Sequence, residues 1–289
     1  MAGVGSPDTG SCAMTWSSVH RAMFAVVRRR LATAASTLRD AHCVLWELQS
    51  PAPLLVDPYT PLLLDEQTAT PDAASSLADV VAVRTRAIDS WLEKPSWPPV
   101  RTTRRQIVLL NAAYDTRAYR LGLGQSMRIF EVDADASLLS RKREVLSARG
   151  FAPRTAVVDV AADPHDCSDA LLAAGFDPRI PTRWVLEAPV ASAAASRQLF
   201  AMASELASTP ASGLAAQVLE PSWAAHLATL GLPSPPADDS ATLEAALDDC
   251  RAAGWREKRT WRRPDFEAAY KRSPHEAFAL IFAEADSDP

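Results

Sequence analysis

Short apolar segments alternate with helical segments from residue 105 onward, and this alternation constrains the fold more than any other feature of the chain. The apolar segments are rich in Val, Ile and Leu, and polar or acidic residues stand at or just after the ends of the first four. Runs of this kind are typical of strands that helices cover on both faces. The pattern therefore predicts an α/β fold with a doubly wound, mostly parallel sheet of seven strands.

The predicted elements follow the apolar runs and the helical periodicity. The strands are predicted over residues 106–110, 127–132, 155–160, 183–188, 213–219, 255–260 and 276–284. The main helices of this region and of the segment before it are predicted over residues 77–92, 137–149, 169–174, 191–207 and 265–271. The proline-rich segment KPSWPPV at 94–100 separates an N-terminal helical part from the sheet.

The chain has 289 residues and is predicted to form one domain over residues 17–289, after a disordered N-terminus over residues 1–16. Within this domain, residues 17–98 form a helical addition and residues 105–289 form the sheet core. The Arg-rich N-terminus is open to two interpretations, an amphipathic helix over residues 17–37 or an organelle-targeting segment. We favour the helix and a cytoplasmic location, with organelle targeting as the alternative.

Charge and cysteine spacing argue against several classes of protein. A formal net charge of −5 argues against a protein that coats a nucleic-acid duplex, because the affinity of such proteins comes from neutralised phosphates. No apolar run approaches the roughly 18 residues that indicate a membrane span. The four Cys residues lie far apart and lack the spacing of a zinc site, so no metal is expected.

One late segment, KRTWRRPDFEAAYKR at 258–272, is locally basic and also contains Trp261, Phe266 and Tyr270. Two interpretations are open for it. The segment contacts an acidic partner or RNA, or it includes a helix face that packs its aromatic residues on the sheet. We favour the packing interpretation, which is the more common one for such a pattern.

Polar residues mark the ends of the first four predicted strands, where an open α/β sheet binds its ligands. Asn111 follows the first strand, Asp133 follows the second, and the third and fourth end in Asp159 and Glu187. A carboxylate after the second strand can accept hydrogen bonds from both hydroxyls of a ribose. Asn111 and Asp133 lie 22 residues apart, close to the spacing in nucleoside-binding β-α-β units. The alternative is that these residues only cap helices or face solvent.

Three stretches in matching order resemble one known family. They are DPYTPLLL at 57–64, VRTRAIDSWL at 83–92, and RQIVLLNAAYDTRAYRL at 105–121, which is followed by FEVD at 130–133. Together they resemble the leucine carboxyl methyltransferase-like family, a branch of the class I methyltransferases that depend on S-adenosylmethionine. The resemblance covers roughly residues 17–220 and is weak in the C-terminal part. It implies a class I methyltransferase fold and S-adenosylmethionine as the cofactor.

The resemblance also implies residues for the methionine end of the cofactor. Arg84 would pair with the carboxylate of the methionine moiety, and Arg86 is the neighbouring candidate for the same role. Glu187 would lie beside the amino group of that moiety. Asp115 and Arg117 are interpreted as structural, as an internal ion pair that fixes the loop and the start of the next helix.

At the adenosine end, the resemblance implies that Asp133 holds the ribose and that Asp159 and Val160 flank the adenine. The chain departs from the family pattern after the first strand, where glycines are replaced by Asn111 and by alanines that include Ala113. Asn tolerates the left-handed backbone better than most residues, so Asn111 is the milder change. Ala113 is expected to add a methyl group where the methionine part of the cofactor would lie.

Taken together, these features predict a methyltransferase that moves a methyl group to an oxygen nucleophile, a carboxylate of a small molecule or of a protein. A carboxylate acceptor needs no general base because it is already ionised at neutral pH. None of the five scattered His residues stands out as a base, so no catalytic residue is assigned. The alternative is an impaired methyltransferase-like fold that acts as a scaffold or regulator. A nicotinamide oxidoreductase is disfavoured because G-x-G-x-x-G is absent.

Overall fold

A computed structural model describes residues 36–64, 74–94, 104–187, 193–207, 209–232 and 242–286. The predicted disordered segment 1–16 and nearly all of the predicted helix 17–37 lie outside these residues. Helix α1 comprises residues 36–47 as far as it is described. No helix in the described part of the chain combines the length and apolar content needed to cross a bilayer.

The described strands form one seven-stranded sheet. In chain order they are β1 (Arg105–Leu110), β2 (Met127–Asp133), β3 (Ala156–Ala161), β4 (Thr182–Leu186), β5 (Gly213–Leu219), β6 (Trp255–Trp261) and β7 (Phe278–Ala285). Their order across the sheet is β3-β2-β1-β4-β5-β7-β6. The pairs from β3 to β5 are parallel, whereas β7 runs antiparallel to both β5 and β6. The predicted mostly parallel sheet is confirmed.

Helices flank the sheet on both faces. After α1 they are α2 (Thr60–Leu63), α3 (Ala74–Glu93), α4 (Arg117–Arg120), α5 (Ala136–Ala148), α6 (Ser168–Ala173), α7 (Ala193–Glu205), α8 (Pro221–Thr229), α9 (Leu243–Ala252) and α10 (Arg263–Tyr270). The predictions missed α2, α8 and α9. Short helices that begin with Pro at an early position, as α2 and α8 do, resemble loops in sequence because Pro is common to both.

Two apolar layers explain why the strand sequences are nearly continuous apolar runs. On β1, Ile107 packs into the layer that includes α3, and its neighbour Val108 packs into the layer that includes α7 and α9. Both side chains are fully buried, as expected for a strand that helices cover on both faces. Because the strands β1, β2 and β4 are parallel, their carboxyl ends meet at one edge of the sheet, where an open α/β sheet binds its ligands.

Candidate functional site

The loop after β1 forms the centre of the carboxyl-end site. Its first residue, Asn111, has φ 62°, which is the left-handed conformation that usually requires glycine. The asparagine therefore keeps the backbone path that a glycine would give. A cavity of about 80 Å³ lies beside this loop, and residues of α1, α2 and α3 form its other walls.

Lys142, a buried residue of α5, holds the same loop in place. The Lys142 ammonium donates to the carbonyl oxygens of Ala112 at 2.6 Å and Asp115 at 2.8 Å. It also forms an ion pair of 2.6 Å with Glu131, which is fully buried on β2. Three acceptors around one ammonium compensate for its desolvation, so the loop is tied rigidly to β2.

Asp133 ends β2 and also binds this loop. One carboxylate oxygen accepts from the backbone N–H of Ala113 at 3.1 Å, and the other accepts from the N–H of Asp135 at 2.9 Å. Burial raises the pKa of Asp133, and the two backbone hydrogen bonds oppose that rise. Each oxygen retains further lone-pair capacity, because an ionised carboxylate has about four acceptor sites.

Arg117 at the start of α4 is the centre of a buried ion-pair network. Its guanidinium contacts carboxylates of Asp89 at 2.7 Å, Asp115 at 2.6 Å and Glu187 at 2.6 Å. Asp115 also accepts from the Arg117 backbone N–H at 2.7 Å. The predicted internal ion pair of Asp115 and Arg117 is therefore present, and it extends further than predicted because it also holds Glu187.

Arg84 of α3 lies beside Glu187 in the cavity wall. Its guanidinium donates to Asp40 of α1 at 3.0 Å and to the side chain of Gln217 on β5 at 2.7 Å. Its Nε lies 3.5 Å from a Glu187 oxygen and is buried without a hydrogen-bond partner. Arg86 is exposed and does not line the cavity, so the structure separates the two candidate arginines.

The charges around Glu187 keep it ionised. Burial alone would raise its pKa, but Arg117 and Arg84 outweigh burial, and the pKa lies well below the usual range of a Glu. The opposite charges in this site therefore balance one another. Arg84 contributes a positive group to the cavity wall and Glu187 contributes a negative one.

The structure brings some of the sequence-predicted residues together and not others. Arg84, Asn111 and Glu187 line the same cavity. Four others are not among its described lining residues, namely Ala113, Asp133, Asp159 and Val160. The N–H of Ala113 is directed at Asp133, so the loop alanine supports the β2 carboxylate.

Asp159 does not end its strand as predicted. It lies two residues before the end of β3, in register with Glu131. Arg143 bridges these two acids, with 2.6 Å to each carboxylate. Sequence reasoning missed both Lys142 and Arg143, because a helical Lys or Arg is normally exposed. The signal that could have found them was Glu131, an acid inside an apolar strand, which requires a basic partner.

The strand order and the antiparallel β7 define the fold of a class I methyltransferase. The family model "Leucine carboxyl methyltransferase" matches residues 39–202, which is more than half of the chain. The chain belongs to the leucine carboxyl methyltransferase family.

Several bacterial proteins are similar to this chain. One from Mycolicibacterium paratuberculosis, named "Putative S-adenosyl-L-methionine-dependent methyltransferase", is 34% identical over 173 residues, which cover 53% of this chain and 56% of the relative. A protein of the same name from Mycobacterium marinum is 32% identical over 211 residues, which cover 64% of each. The chain thus spans between half and two thirds of the length of these relatives. A solved structure of a protein from Pyrococcus horikoshii is 10% identical to this chain, with a TM-score of 0.49. The matched region covers 75% of this chain and 94% of the Pyrococcus horikoshii chain.

Proposed function

We propose that the protein is an S-adenosylmethionine-dependent methyltransferase that methylates an oxygen nucleophile. The observation that carries this proposal is the pairing of Arg84 with Glu187 beside the left-handed Asn111, at the carboxyl ends of β1 and β4. In a member of this family, such a pair matches an amino acid moiety, which has one carboxylate and one ammonium group. The names of the relatives support the same cofactor.

The residues present fit the cofactor at both of its ends. The buried Nε of Arg84 has no hydrogen-bond partner, which leaves a donor for the methionine carboxylate. Glu187 is ionised and its side chain is 19% exposed, so it can accept from an ammonium group. At the other end, both oxygens of Asp133 keep acceptor capacity for the two ribose hydroxyls. Asp159 and Val160 on β3 remain the proposed neighbours of the adenine.

When bound, S-adenosylmethionine supplies an electrophilic methyl group. The residues of this chain would position the methyl group and the acceptor, because methyl transfer depends mainly on the alignment of the two and on the exclusion of water. Arg84 and Glu187 orient one end of the site, and Lys142 holds the loop that forms its floor. We propose a carboxylate of a small molecule or protein as the acceptor, since an ionised carboxylate needs no general base.

Calorimetric titration with S-adenosylmethionine and S-adenosylhomocysteine tests the cofactor assignment. We expect Asp133→Asn to weaken binding at least tenfold, because the amide cannot accept from both ribose hydroxyls and from both backbone N–H groups. Asp248→Asn is the matched control, since Asp248 is exposed on α9 and outside the site. An unchanged affinity in Asp133→Asn would show that the ribose lies elsewhere. If neither S-adenosylmethionine nor S-adenosylhomocysteine binds at millimolar concentration, the proposal is wrong.

The acceptor class is tested with S-adenosylmethionine that carries a labelled methyl group. Labelled product from a cell extract is treated with mild alkali, which releases methanol from methyl esters and leaves methyl ethers and N-methyl groups intact. Volatile label identifies a carboxylate acceptor, and separation of the extract by size shows whether the acceptor is a small molecule or a protein. Label that resists alkali would contradict the carboxylate acceptor.

One observation favours the second candidate, a methyltransferase-like scaffold. Glu187 is already paired with Arg117 at 2.6 Å, and Arg84 is already bonded to Asp40 and Gln217. These contacts satisfy the charges without any ligand. The same titration separates the two candidates, because a scaffold of this kind would bind neither form of the cofactor.

A further inference from the structure

A second cavity lies at the opposite end of the sheet from Asn111 and Glu187. Its lining includes Arg183 at the start of β4, Gly213 at the start of β5 and Glu284 near the end of antiparallel β7. Its volume is about 280 Å³, which is larger than the cavity at the carboxyl end. The sheet thus has a pocket at each end, and the function proposed above uses only one of them.

The walls of this second cavity are aromatic. Trp261 and Tyr270 stack with their ring centroids 5.7 Å apart, and Trp91 packs against Phe282 at 5.6 Å. A Cβ at Gly213 would come within 3.0 Å of the Trp91 ring, so glycine is what allows this ring to lie against β5. The predicted packing of segment 258–272 on the sheet is observed, since Phe266 of α10 is fully buried and stacks on Phe278 of β7 at 5.2 Å. Trp261 and Tyr270 of the same segment also line the cavity.

The lining is also strongly basic. It contains Lys94, Arg183, Lys258 and Arg259 against the single carboxylate of Glu284 among its described residues. Lys258 and Glu284 form an ion pair of 2.8 Å, so positive charge remains in excess. An anion that entered this cavity would be attracted by all four cations.

A β-bulge brings two of these cations together. Adjacent residues of a regular strand point to opposite faces, and Lys258 and Arg259 would then diverge. The register of β6 against β7 shifts between Glu257 and Arg259, so the backbone of Lys258 is not opposite any residue of β7 in the ladder. Both side chains consequently line the same cavity. Bulges of this kind are common where a side chain is redirected toward a site.

Arg183 provides a buried cation at the floor of the cavity. It is 5% exposed, and one nitrogen donates to the carbonyl oxygens of Trp91 and of Leu92, the latter at 3.0 Å. Its guanidinium lies 4.8 Å from the centre of the Trp91 ring. Arg259 is placed similarly, 4.1 Å from the centre of the Trp261 ring. Two guanidinium groups thus lie beside aromatic rings, where they can contact a flat anionic ligand by charge and by stacking.

We propose that this cavity binds a small aromatic anion, a planar ring that carries a carboxylate or a phosphate. The aromatic walls contact the ring, and Arg183, Lys258 and Arg259 contact the anionic group. The site is separate from the methyl-transfer site, because Arg183 and Glu187 are at opposite ends of β4. Neither its existence nor its test depends on the cofactor that the carboxyl-end site binds.

Calorimetry with four probes tests both halves of the proposal. We expect phenyl phosphate and benzoate to bind, inorganic phosphate to bind at least tenfold more weakly than phenyl phosphate, and benzylamine to give no heat of binding. Equal affinities for phenyl phosphate and inorganic phosphate would overturn the aromatic part. Binding of benzylamine as strong as that of phenyl phosphate would overturn the anionic part.

Two variants of β6 place the bound probe. Arg259→Ala is expected to weaken phenyl phosphate binding at least fivefold. Arg256→Ala is the matched control, because Arg256 is exposed on the same strand and does not line the cavity. Both arginines are exposed, so both variants should fold. Equal affinities in the two variants would place the probe elsewhere and overturn the site.

Discussion

The two ends of the sheet treat buried arginine in opposite ways. At the carboxyl end, Arg117 is surrounded by Asp89, Asp115 and Glu187, and its pKa is raised because their attraction outweighs the effect of burial. At the amino end, burial lowers the pKa of Arg183 to about 10, and this loss is only partly opposed by Glu284. Both residues remain protonated at neutral pH, but one is held by neighbouring carboxylates and the other lies in a basic cavity.

This difference separates the structural use of charge from its use in binding. Opposite charges that already neutralise one another rigidify a site and define its shape. An excess of one sign costs free energy in the isolated protein and is retained where a ligand of the other sign offsets it. At the carboxyl end, the ion-pair network around Arg117 is therefore preformed and its charges are already neutralised. At the amino end, the excess positive charge attracts an anion.

The largest expected effect comes from replacing Arg117, the centre of the ion-pair network at the carboxyl end of the sheet. We expect Arg117→Met to lower the free energy of unfolding by about 4 kcal/mol, because three carboxylates would lose their shared partner in a buried site. Urea denaturation measures the change. Arg179→Met is the control, since Arg179 also pairs with an acid but is exposed, and it should leave stability unchanged within error. Equal losses in the two variants would show that the network is not what stabilises this end.

A smaller effect, dependent on pH, is expected for Glu187→Gln. Because the pKa of Glu187 is lowered in the folded protein, its stabilisation is complete above the ordinary Glu pKa of 4.5 and is lost as pH falls through the lower folded value. We expect the variant to be about 2 kcal/mol less stable than the parent near pH 7. The difference should shrink toward zero by about pH 2. A difference that is independent of pH would contradict the ion pairs assigned to this residue.

The amino end should tolerate loss of its buried arginine better. Arg183→Met removes hydrogen bonds to two carbonyl oxygens at the end of α3, but it also removes a charge that burial disfavours. We expect a loss of about 1 to 2 kcal/mol in urea denaturation, at most half of that for Arg117→Met. A loss of stability as large as that for Arg117→Met would contradict the proposed difference between the two buried arginines.

The smallest expected effect concerns the backbone of the carboxyl-end loop. Asn111→Ala should cost about 1 kcal/mol, because Ala adopts a positive φ less readily than Asn. Asn111→Gly should change stability by less than about 0.5 kcal/mol, since Gly has no Cβ to strain. Thermal denaturation of both variants gives the comparison, and a more stable Ala variant would be inconsistent with the left-handed loop.

The sheet was predictable because the sequence periodicity reports burial, and strands buried on both faces have few alternatives. The burial of Arg84 and the exposure of Arg86 were also within reach of the sequence. Arg84 continues the apolar stripe formed by Val81 and Ile88 at helical spacing, whereas Arg86 does not. An arginine within an apolar stripe indicates a buried charge that has partners in the fold.

The partners themselves could not be predicted, because they come from distant parts of the chain. Arg84 meets Asp40 and Gln217, and these residues are 44 and 133 positions away. The β-bulge at Lys258 was equally invisible, because no local pattern marks where β6 changes register against β7. The cavity at the amino end depends on both kinds of contact, so sequence reasoning could detect its basic and aromatic composition but not its existence.

Helix α3 carries residues of both cavities, Arg84 for one and Trp91 for the other. These positions are seven residues apart, which is about two turns of helix. Inserting or deleting a single residue between them would rotate one position by about 100° relative to the other and turn one of the two side chains out of its pocket. Substitutions between residues 84 and 91 therefore leave this spacing intact, whereas an insertion or deletion leaves it intact only outside that stretch.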